Sequence, residues 1–330
     1  MTHLWSVLCR SWHRACTWHT RYPVLGLLCL VVLAVSAPDL AVAQDERALR
    51  RIVVADRQTA ENILQQLRQG TSFSALARAR SIGPEYGQWG YSGIVRLSEV
   101  QPVLRAALLK LQEGQVSEIL ELGDQFVMMK VISPRIARHF EAAERAESEN
   151  RLPQAIQEVQ AALRLEADNV PAYIKLGLLQ QGARQFDAAI QTLEKAQQYA
   201  PQEVQVVLLL ASAYTHAAVE SKQAAQAERA LQAFQRALQL DARYASAVHF
   251  GMGRIYLLAL QQPEAALEHL EKAAAATTSV AEVHRLLIQT YYDTRRYEQA
   301  WQSLRRAQDL GFDFPQLLAA LHKVKQQSQR

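Results

Sequence analysis

The stretch that decides the fold is residues 59–77, which read TAENILQQLRQGTSFSALA. Ala60, Ile63 and Leu67 recur at helical spacing, and Gly70 follows where a C-cap is expected. Residues 73–80 then continue as a second short helix. Short β-branched or apolar runs lie on either side, at 52–54 and 126–131, and each predicts a strand.

The remainder of this region extends the same mixed pattern. Residues 84–93 form a glycine-rich loop that holds Trp89 and Tyr91, and residues 100–111 are amphipathic and helical. The predicted order over about 46–134 is strand, helix, helix, loop, helix and final strand. Beyond Pro134 alanine, leucine, glutamine and glutamate dominate, which marks a domain boundary.

Four of these segments resemble the parvulin-type (PpiC-like) prolyl isomerases. Residues 59–77 are similar to the family's helical signature, and GQWGYS at 87–92 is similar to its glycine-aromatic-serine loop. Residues 108–117 and 127–131 fit its leucine-glycine-valine-serine element and its last strand. The resemblance implies an α+β domain over 44–135 that binds prolyl peptides.

The catalytic groups of that family are missing at the matching positions. The first-strand histidine position is Arg51, the last-strand position falls within 125–127, and the acidic or thiol position falls near Gly83. Residues 44–138 contain no histidine. Since rotation about the amide breaks no covalent bond, a cleft that desolvates and twists it could retain activity. No catalytic residue is assigned, and whether the domain is a degenerate binding cleft or an enzyme stays open.

The resemblance also implies a proline pocket. Carried over by position, its lining residues are Trp89, Val100 and Leu104. All three are apolar, which suits a prolyl side chain. The alternative interpretation is that Trp89 and Leu104 simply fill the small core.

Residues 136–313 contain an internal sequence repeat. Alanines recur at one register with successive intervals of 34, 41, 36 and 34 residues, at Ala155, Ala189, Ala230, Ala266 and Ala300. A period of 34 built from two helices is the tetratricopeptide (TPR) signature, so we expect an all-α solenoid of about five helix-turn-helix repeats. The 41-residue interval predicts a seven-residue insertion in the third repeat, and 314–330 reads as a capping helix.

A concave face built from the first helix of each repeat is expected to bind an extended or helical protein segment. Its predicted residues are Leu208, Ser212, Thr215, Phe250, Arg254, Arg285, Gln289 and Tyr292. Family members that bind chaperone tails use a lysine and asparagine clamp. No asparagine follows Asn169, which disfavours that ligand. The alternative for each residue is packing or simple solvation.

Residues 1–43 follow the signal-peptide pattern. A basic segment without acids precedes an apolar run at 23–37, and Ala41 and Ala43 form a small-x-small site. We expect cleavage near Ala43 and a periplasmic or secreted chain. The alternative is an uncleaved inner-membrane anchor with the rest facing the periplasm, which would be the chain's one membrane contact.

Composition excludes several other classes. After residue 43 the chain has 33 basic and 31 acidic residues, too even a balance for nucleic-acid binding. All three cysteines lie in the first 43 residues, so the remainder has no disulfide framework or thiol nucleophile. The spacing of the histidines predicts no metal site. The sequence also contains no phosphate loop or dinucleotide-binding motif, so no cofactor is predicted.

Three functions remain open. The first is an exported binding protein for proline-containing or extended polypeptides, acting as a chaperone or assembly scaffold in the cell envelope. The second is an active periplasmic peptidyl-prolyl cis-trans isomerase whose repeats recruit substrate. In the third, the first domain is a structural cap and the repeats scaffold a protein complex. The client protein, the pathway and the oligomeric state are left undetermined by the sequence.

Overall fold

The computed structural model describes residues 45–276 and 280–328. The first domain is a four-stranded antiparallel sheet, in the order β2-β1-β4-β3, with three helices packed against it. This arrangement confirms the predicted α+β class. Its elements are β1 (Glu46–Val54), α1 (Arg57–Arg68), α2 (Phe73–Arg80), β2 (Tyr91–Arg96), α3 (Pro102–Leu108), β3 (Leu120–Leu122) and β4 (Gln125–Ile132).

Local sequence explains where the first two helices begin. The Asp56 carboxylate accepts a hydrogen bond from Thr59 N at 2.7 Å and caps α1, and Ser72 caps α2 in the same way. Such caps satisfy backbone N–H groups that have no partner in the first turn. Below the cap of α1, Ala60 and Ile63 are buried against the sheet.

Three elements differ from the sequence prediction. β1 is longer than the expected 52–54, because it extends back to Glu46, past a shift in its register with β2 between Leu49 and Arg50. The third helix begins only at Pro102, a residue that suits a first helical turn. The expected loop over 84–93 contains a 3₁₀ turn, and its end starts strand β2, whose non-alternating sequence concealed it.

The sheet is covered on both faces. On one face Leu49, Val53 and Val127 pack with Leu104 and Leu108 of α3. On the other, a second cluster of apolar side chains lies beneath α1 and α2, formed by Ile52, Val54, Ala60, Ile63, Phe73, Leu76, Ala77 and Met128. Successive side chains of β1 therefore point to opposite faces of the sheet and pack in different clusters.

The second domain is an array of helix pairs, which confirms the all-α TPR solenoid. A final helix, α14, packs on the last pair. The helices are α4 (Arg135–Ser148), α5 (Leu152–Leu165), α6 (Val170–Gly182), α7 (Phe186–Tyr199), α8 (Val204–Ser221), α9 (Ala224–Leu240), α10 (Ala245–Arg254), α11 (Pro263–Ala276), α12 (Ala281–Asp293), α13 (Tyr297–Asp309) and α14 (Pro315–Ser328).

The small residues that revealed the repeat lie where helices cross. Ala155, Ala189 and the equivalent alanines of the later repeats are fully buried. A methyl group added to Gly251 would lie 2.2 Å from the Phe234 ring. These sites thus need small side chains for the helices to approach closely.

The seven-residue insertion lengthens the third pair. Its helices, α8 and α9, have 18 and 17 residues, whereas α6 and α7 have 13 and 14. Within the described ranges, α8 is the one helix long and apolar enough to cross a membrane, and half of it is buried in the protein. Its apolar side chains belong to the core of the array.

Candidate peptide-binding cleft and domain interface

An open cleft of about 680 Å³ lies on one face of the sheet. It is formed by β1, the end of β3, the start of β4, the segment that follows α2 and the start of α3. The lining residues are Arg51, Val53, Ile82, Gly83, Pro84, Gln101, Val103, Glu121, Leu122, Gly123, Gln125 and Val127. Val53 and Val127 are cross-strand partners. Ile82 and Val103 are 57% and 51% exposed, so apolar surface is available to a ligand.

Arg51 is the one cationic side chain among these lining residues, and it forms an ion pair with Glu85. The Arg51 side chain is 30% exposed and that of Glu85 is 17% exposed. Among the described residues, none bonds Arg51 Nε or Glu85 Oε2, although both atoms are buried. The pair is thus fixed in place but not saturated with hydrogen bonds.

At the positions where parvulins have their two histidines, this structure has other residues. Arg51 faces Met129 across the strands, and Gln125 and Val127 line the cleft. Because no histidine lines the cleft, the imidazole chemistry expected of a parvulin has no group to perform it there. The cleft can desolvate an apolar side chain and donate hydrogen bonds from Arg51.

The three predicted pocket residues do not lie together. Trp89 is 8% exposed and packs against the second domain. Leu104 is 7% exposed within the core under α3, and Val100 is partly buried against that core. None of the three lines the cleft described above. Their assignment to a peptide site therefore stays a prediction, and the geometry favours their alternative role in packing.

Trp89 instead joins the two domains. It shares an apolar cluster with Val170 and Ile174 of α6 and with Ala200 and Val206 farther along the array. Its backbone has a φ of 57°, an unusual value for a bulky residue. Arg50 donates a hydrogen bond from Nη1 to the Trp89 carbonyl at 3.0 Å, which helps to hold this conformation.

A buried polar network lies beside Trp89. Arg50 pairs with Glu166 through Nε–Oε1 at 3.0 Å and Nη2–Oε2 at 3.1 Å. Lys130 donates to Asp168 at 2.6 Å and lies 3.3 Å from Glu166. The Arg50 and Glu166 side chains are only 4% and 3% exposed. Each buried charge is therefore paired, as its loss of hydration requires.

Sequence reasoning missed this network. A usable signal was present, because Arg50 and Lys130 interrupt strands whose other central residues are mostly apolar and buried. A charged residue at such a position needs an opposite charge nearby. The sequence could not show which carboxylate supplied it, since Glu166 lies 116 residues from Arg50.

Three of the predicted concave-face residues are brought together. Arg285, Gln289 and Tyr292 of α12 line a cavity of about 340 Å³ with Phe314 and Leu317 at the start of α14. Arg285 bonds Glu282, and Gln289 donates to Asp293 at 2.9 Å. The cavity combines apolar surface with polar groups, as a peptide-binding surface does.

The remaining predicted residues of this face have neighbours inside the array. Thr215 is 2% exposed and donates to Ala211 O, and Ser212 donates to Gln181. Arg254 lies over the Phe250 ring at 5.9 Å. Leu208, which is also on α8, packs against the apolar core of the third pair. For these five residues a packing role is visible, and ligand contact stays a prediction.

The histidines of the array form one close pair within the described ranges. His249 Nδ1 and His269 Nδ1 are 3.1 Å apart, and the Tyr256 ring stacks on His269. Burial, followed by the charge of Lys272, lowers the pKa of His249, and burial, followed by His249, lowers the pKa of His269. Two neutral rings can share one hydrogen bond. In the part of the chain that the structure describes, no group of three or more potential metal-ligating side chains is found.

Comparison with known families agrees with this architecture. Residues 41–133 match the PPIC-type PPIASE domain, and residues 170–203 match the tetratricopeptide repeat. The chain carries a PPIC-type domain followed by TPR repeats.

The curated relatives match a part of this chain. The "Chaperone SurA" of Cupriavidus metallidurans is 37% identical over 79 residues, which are 24% of this chain and 16% of that protein. The "Chaperone SurA" of Bordetella avium is 32% identical over 94 residues, 28% of this chain and 19% of that protein. The chain thus spans less than a fifth of the length of these relatives.

Solved structures similar to this chain include a TPR protein and a PpiC-type domain. The match to a thermophilic TPR protein of Thermus thermophilus covers 57% of this chain and 97% of that protein's chain, with 18% identity and a TM-score of 0.45. The match to a PpiC-type peptidyl-prolyl cis-trans isomerase domain covers 26% of this chain and 87% of that domain's chain, with 26% identity and a TM-score of 0.25.

Proposed function

We propose that this protein binds proline-containing or extended polypeptide segments and acts as a chaperone or assembly scaffold in the cell envelope. The observation that carries the proposal is an open cleft on a PPIC-type domain, with exposed Ile82 and Val103 at its rim and no histidine in its lining. Such a cleft can bind an apolar side chain, whereas it lacks the groups associated with rapid isomerisation.

The TPR array supplies a second surface for the same client. The cavity beside Arg285, Gln289 and Tyr292 lies at the far end of the array from the PPIC-type domain in sequence. Two weak sites on one molecule raise the overall affinity for a chain that reaches both. The signal-peptide pattern of residues 1–43 supports a periplasmic or secreted location, with an inner-membrane anchor as the alternative.

The test is to titrate an unfolded, proline-containing polypeptide into the chain that begins at Gln44. NMR shifts should change at Val53, Val103 and Leu122 around the cleft, and the polypeptide should aggregate more slowly. The matched variant is Val103→Ser, which removes apolar surface at the rim and should reduce both effects. If the wild-type cleft signals do not move, the PPIC-type domain has no peptide-binding role.

Active isomerisation is the second candidate, and the retained cleft volume favours it. Exchange spectroscopy on a Leu-Pro-Phe peptide with the same chain discriminates the two functions. We expect the peptide to bind without faster cis-trans exchange. Exchange as fast as that produced by a histidine-containing parvulin would establish the enzyme instead.

The third candidate, a purely structural first domain, is tested by substitutions at the exposed rim of the cleft and not at Trp89 or Leu104. Both residues are buried, so polar substitutions there would unfold the protein. Val103→Ser combined with Ile82→Ser changes only the exposed rim. Unchanged client binding by this double variant would favour the array as the sole binding surface.

A further inference from the structure

One partner of an ion pair, Arg51, lines the cleft at a position where a parvulin carries an imidazole, and the other partner, Glu85, holds it. Arg51 lines the cleft floor beside Val53 and Val127, and Glu85 holds its guanidinium from one side. Apolar side chains, among them Val53, Ile82 and Val103, line the cleft around Arg51 together with the polar side chains of Gln101 and Gln125. A donor that is held in place and partly withdrawn from water is worth more to a ligand than one fully in water.

We propose that Arg51, positioned by Glu85, donates a hydrogen bond to a main-chain carbonyl oxygen of the bound segment, next to an apolar or prolyl side chain seated between Ile82 and Val103. This inference rests on the proposed function and names the ligand chemistry of the same site. With this hydrogen bond, the cleft binds a polypeptide segment in an extended conformation.

Glu85 leaves the guanidinium incompletely paired. Its carboxylate occupies Nη2, while the buried Nε has no acceptor among the described residues. The Arg51 side chain lines the cleft and is still 30% exposed, so a ligand oxygen can reach its exposed part, although not the buried Nε. Because Glu85 already balances the charge of Arg51, the site should favour a neutral carbonyl oxygen over a free carboxylate.

The choice of acceptor atom has a consequence for catalysis. A hydrogen bond to the carbonyl oxygen of an X–Pro bond favours the resonance form in which C–N has double-bond character. Such a bond stabilises the planar amide and does not lower the barrier to rotation. A donor placed on the prolyl nitrogen would do the reverse, since that nitrogen becomes an acceptor only when the bond is twisted.

The experiment measures the affinity of the chain that begins at Gln44 for a fluorescent peptide containing one Leu-Pro-Phe sequence. We expect Arg51→Gln to weaken binding about 10-fold, the usual effect of losing a charge-assisted hydrogen bond. Arg51→Lys, which keeps the charge, should recover part of the affinity. Arg96→Gln is the matched control, because Arg96 forms an exposed ion pair with Glu99 in the same domain.

A second variant guards against misfolding. If Arg51→Gln alone destabilises the domain, the double variant Arg51→Gln/Glu85→Gln leaves no unpaired charge and should show the same loss of affinity. Unchanged affinity in a folded Arg51 variant overturns the inference and leaves the proposed function standing. Wild-type protein that accelerates exchange, with Arg51→Gln losing the rate but not the affinity, also overturns it.

The failure of the proposed function has a different signature. In that case the wild-type chain would bind neither this peptide nor an unfolded polypeptide, and no cleft signal would shift. Normal wild-type binding with no effect of Arg51→Gln contradicts only the role of Arg51.

Discussion

Arg50 and Arg51 are neighbours on β1, but they lie in opposite environments. Arg50 points toward the TPR array and makes a two-pronged ion pair with Glu166, with side chains only 4% and 3% exposed. Arg51 points into the cleft and pairs with Glu85 while keeping 30% of its side chain exposed. One pair ties the two domains together, and the other lies at an open cleft. The contrast follows from the two-residue period of a strand.

The comparison extends to the surfaces around each arginine. The interface has a buried aromatic residue, Trp89, and three further polar partners, Lys130, Asp168 and Asn169. The cleft has exposed apolar residues at its rim, Ile82 and Val103. Changes at the interface should therefore affect stability, and changes at the cleft should affect binding.

The largest effect is expected from Glu166→Gln. This change leaves the Arg50 guanidinium buried without its counter-charge, and removal of one partner of a buried pair costs about 3–5 kcal/mol. Urea unfolding of the full chain should show this loss of unfolding free energy. Peptide affinity of the folded protein should not change.

The control for this prediction is Glu268→Gln, which removes the exposed partner of Lys272. Its unfolding midpoint should equal that of the wild type. A Glu166→Gln midpoint that also equals the wild type would show that the interface contributes little, and the contrast between the two arginines would not hold.

A second prediction tests the cleft side. Val103→Ser removes apolar surface from a half-exposed rim position, so the unfolding free energy should change by no more than about 0.5 kcal/mol. Affinity for a Leu-Pro-Phe peptide should fall several-fold, because the lost side chain no longer covers the ligand. Isothermal titration and urea unfolding on the same sample measure both quantities. A variant that loses stability but keeps its affinity would reverse the proposed assignment.

The smallest effect is expected within the array, remote from both arginines. Tyr214 donates to Glu194 at 2.6 Å, and burial, followed by this hydrogen bond, raises the pKa of Tyr214 to about 12. The unfolded chain loses this proton near the ordinary tyrosine pKa of about 10. Between these two values the unfolded state binds fewer protons, so stability falls as pH rises.

The measurement is the unfolding free energy of the wild type and of Tyr214→Phe between pH 9 and pH 12, a window of about 3 pH units that spans both pKa values. The contribution of Tyr214 is fully present below pH 10 and is lost as pH approaches 12. Tyr214→Phe should flatten this decline, while Glu166→Gln should shift the whole curve downward. Identical slopes in the wild type and Tyr214→Phe would contradict the assignment.

Much of the architecture was predictable from local patterns. The bounds of α2 at Phe73–Arg80 agree with the helical pattern, and the alanine register located the repeats. Both signals are local. Helix periodicity is evident over a few turns, and the small residues needed for close helix crossing are evident within each repeat. Strand β2 was missed because its sequence does not alternate and its register with β1 shifts at Ser92, between Tyr91 and Gly93.

The site was only partly predictable. The absence of histidine between residues 44 and 138 and the position of Arg51 were evident in the sequence. The sequence could not reveal that Trp89 faces the array, because that depends on α6 packing beside the loop. Nor could it reveal that Ile82 and Val103 flank the cleft, since Ile82 lies in an irregular segment and the position of Val103 depends on how α3 packs on the sheet.

The sequence by itself determined the two kinds of domain, their order and the loss of the imidazoles, because periodicity, capping and residue identity are local properties. Tertiary structure alone decided which of two adjacent arginines would be buried between domains and which would face an open cleft. Glu166 and Glu85 approach β1 from opposite sides only after the chain folds, and the burial that each pair then experiences sets its role.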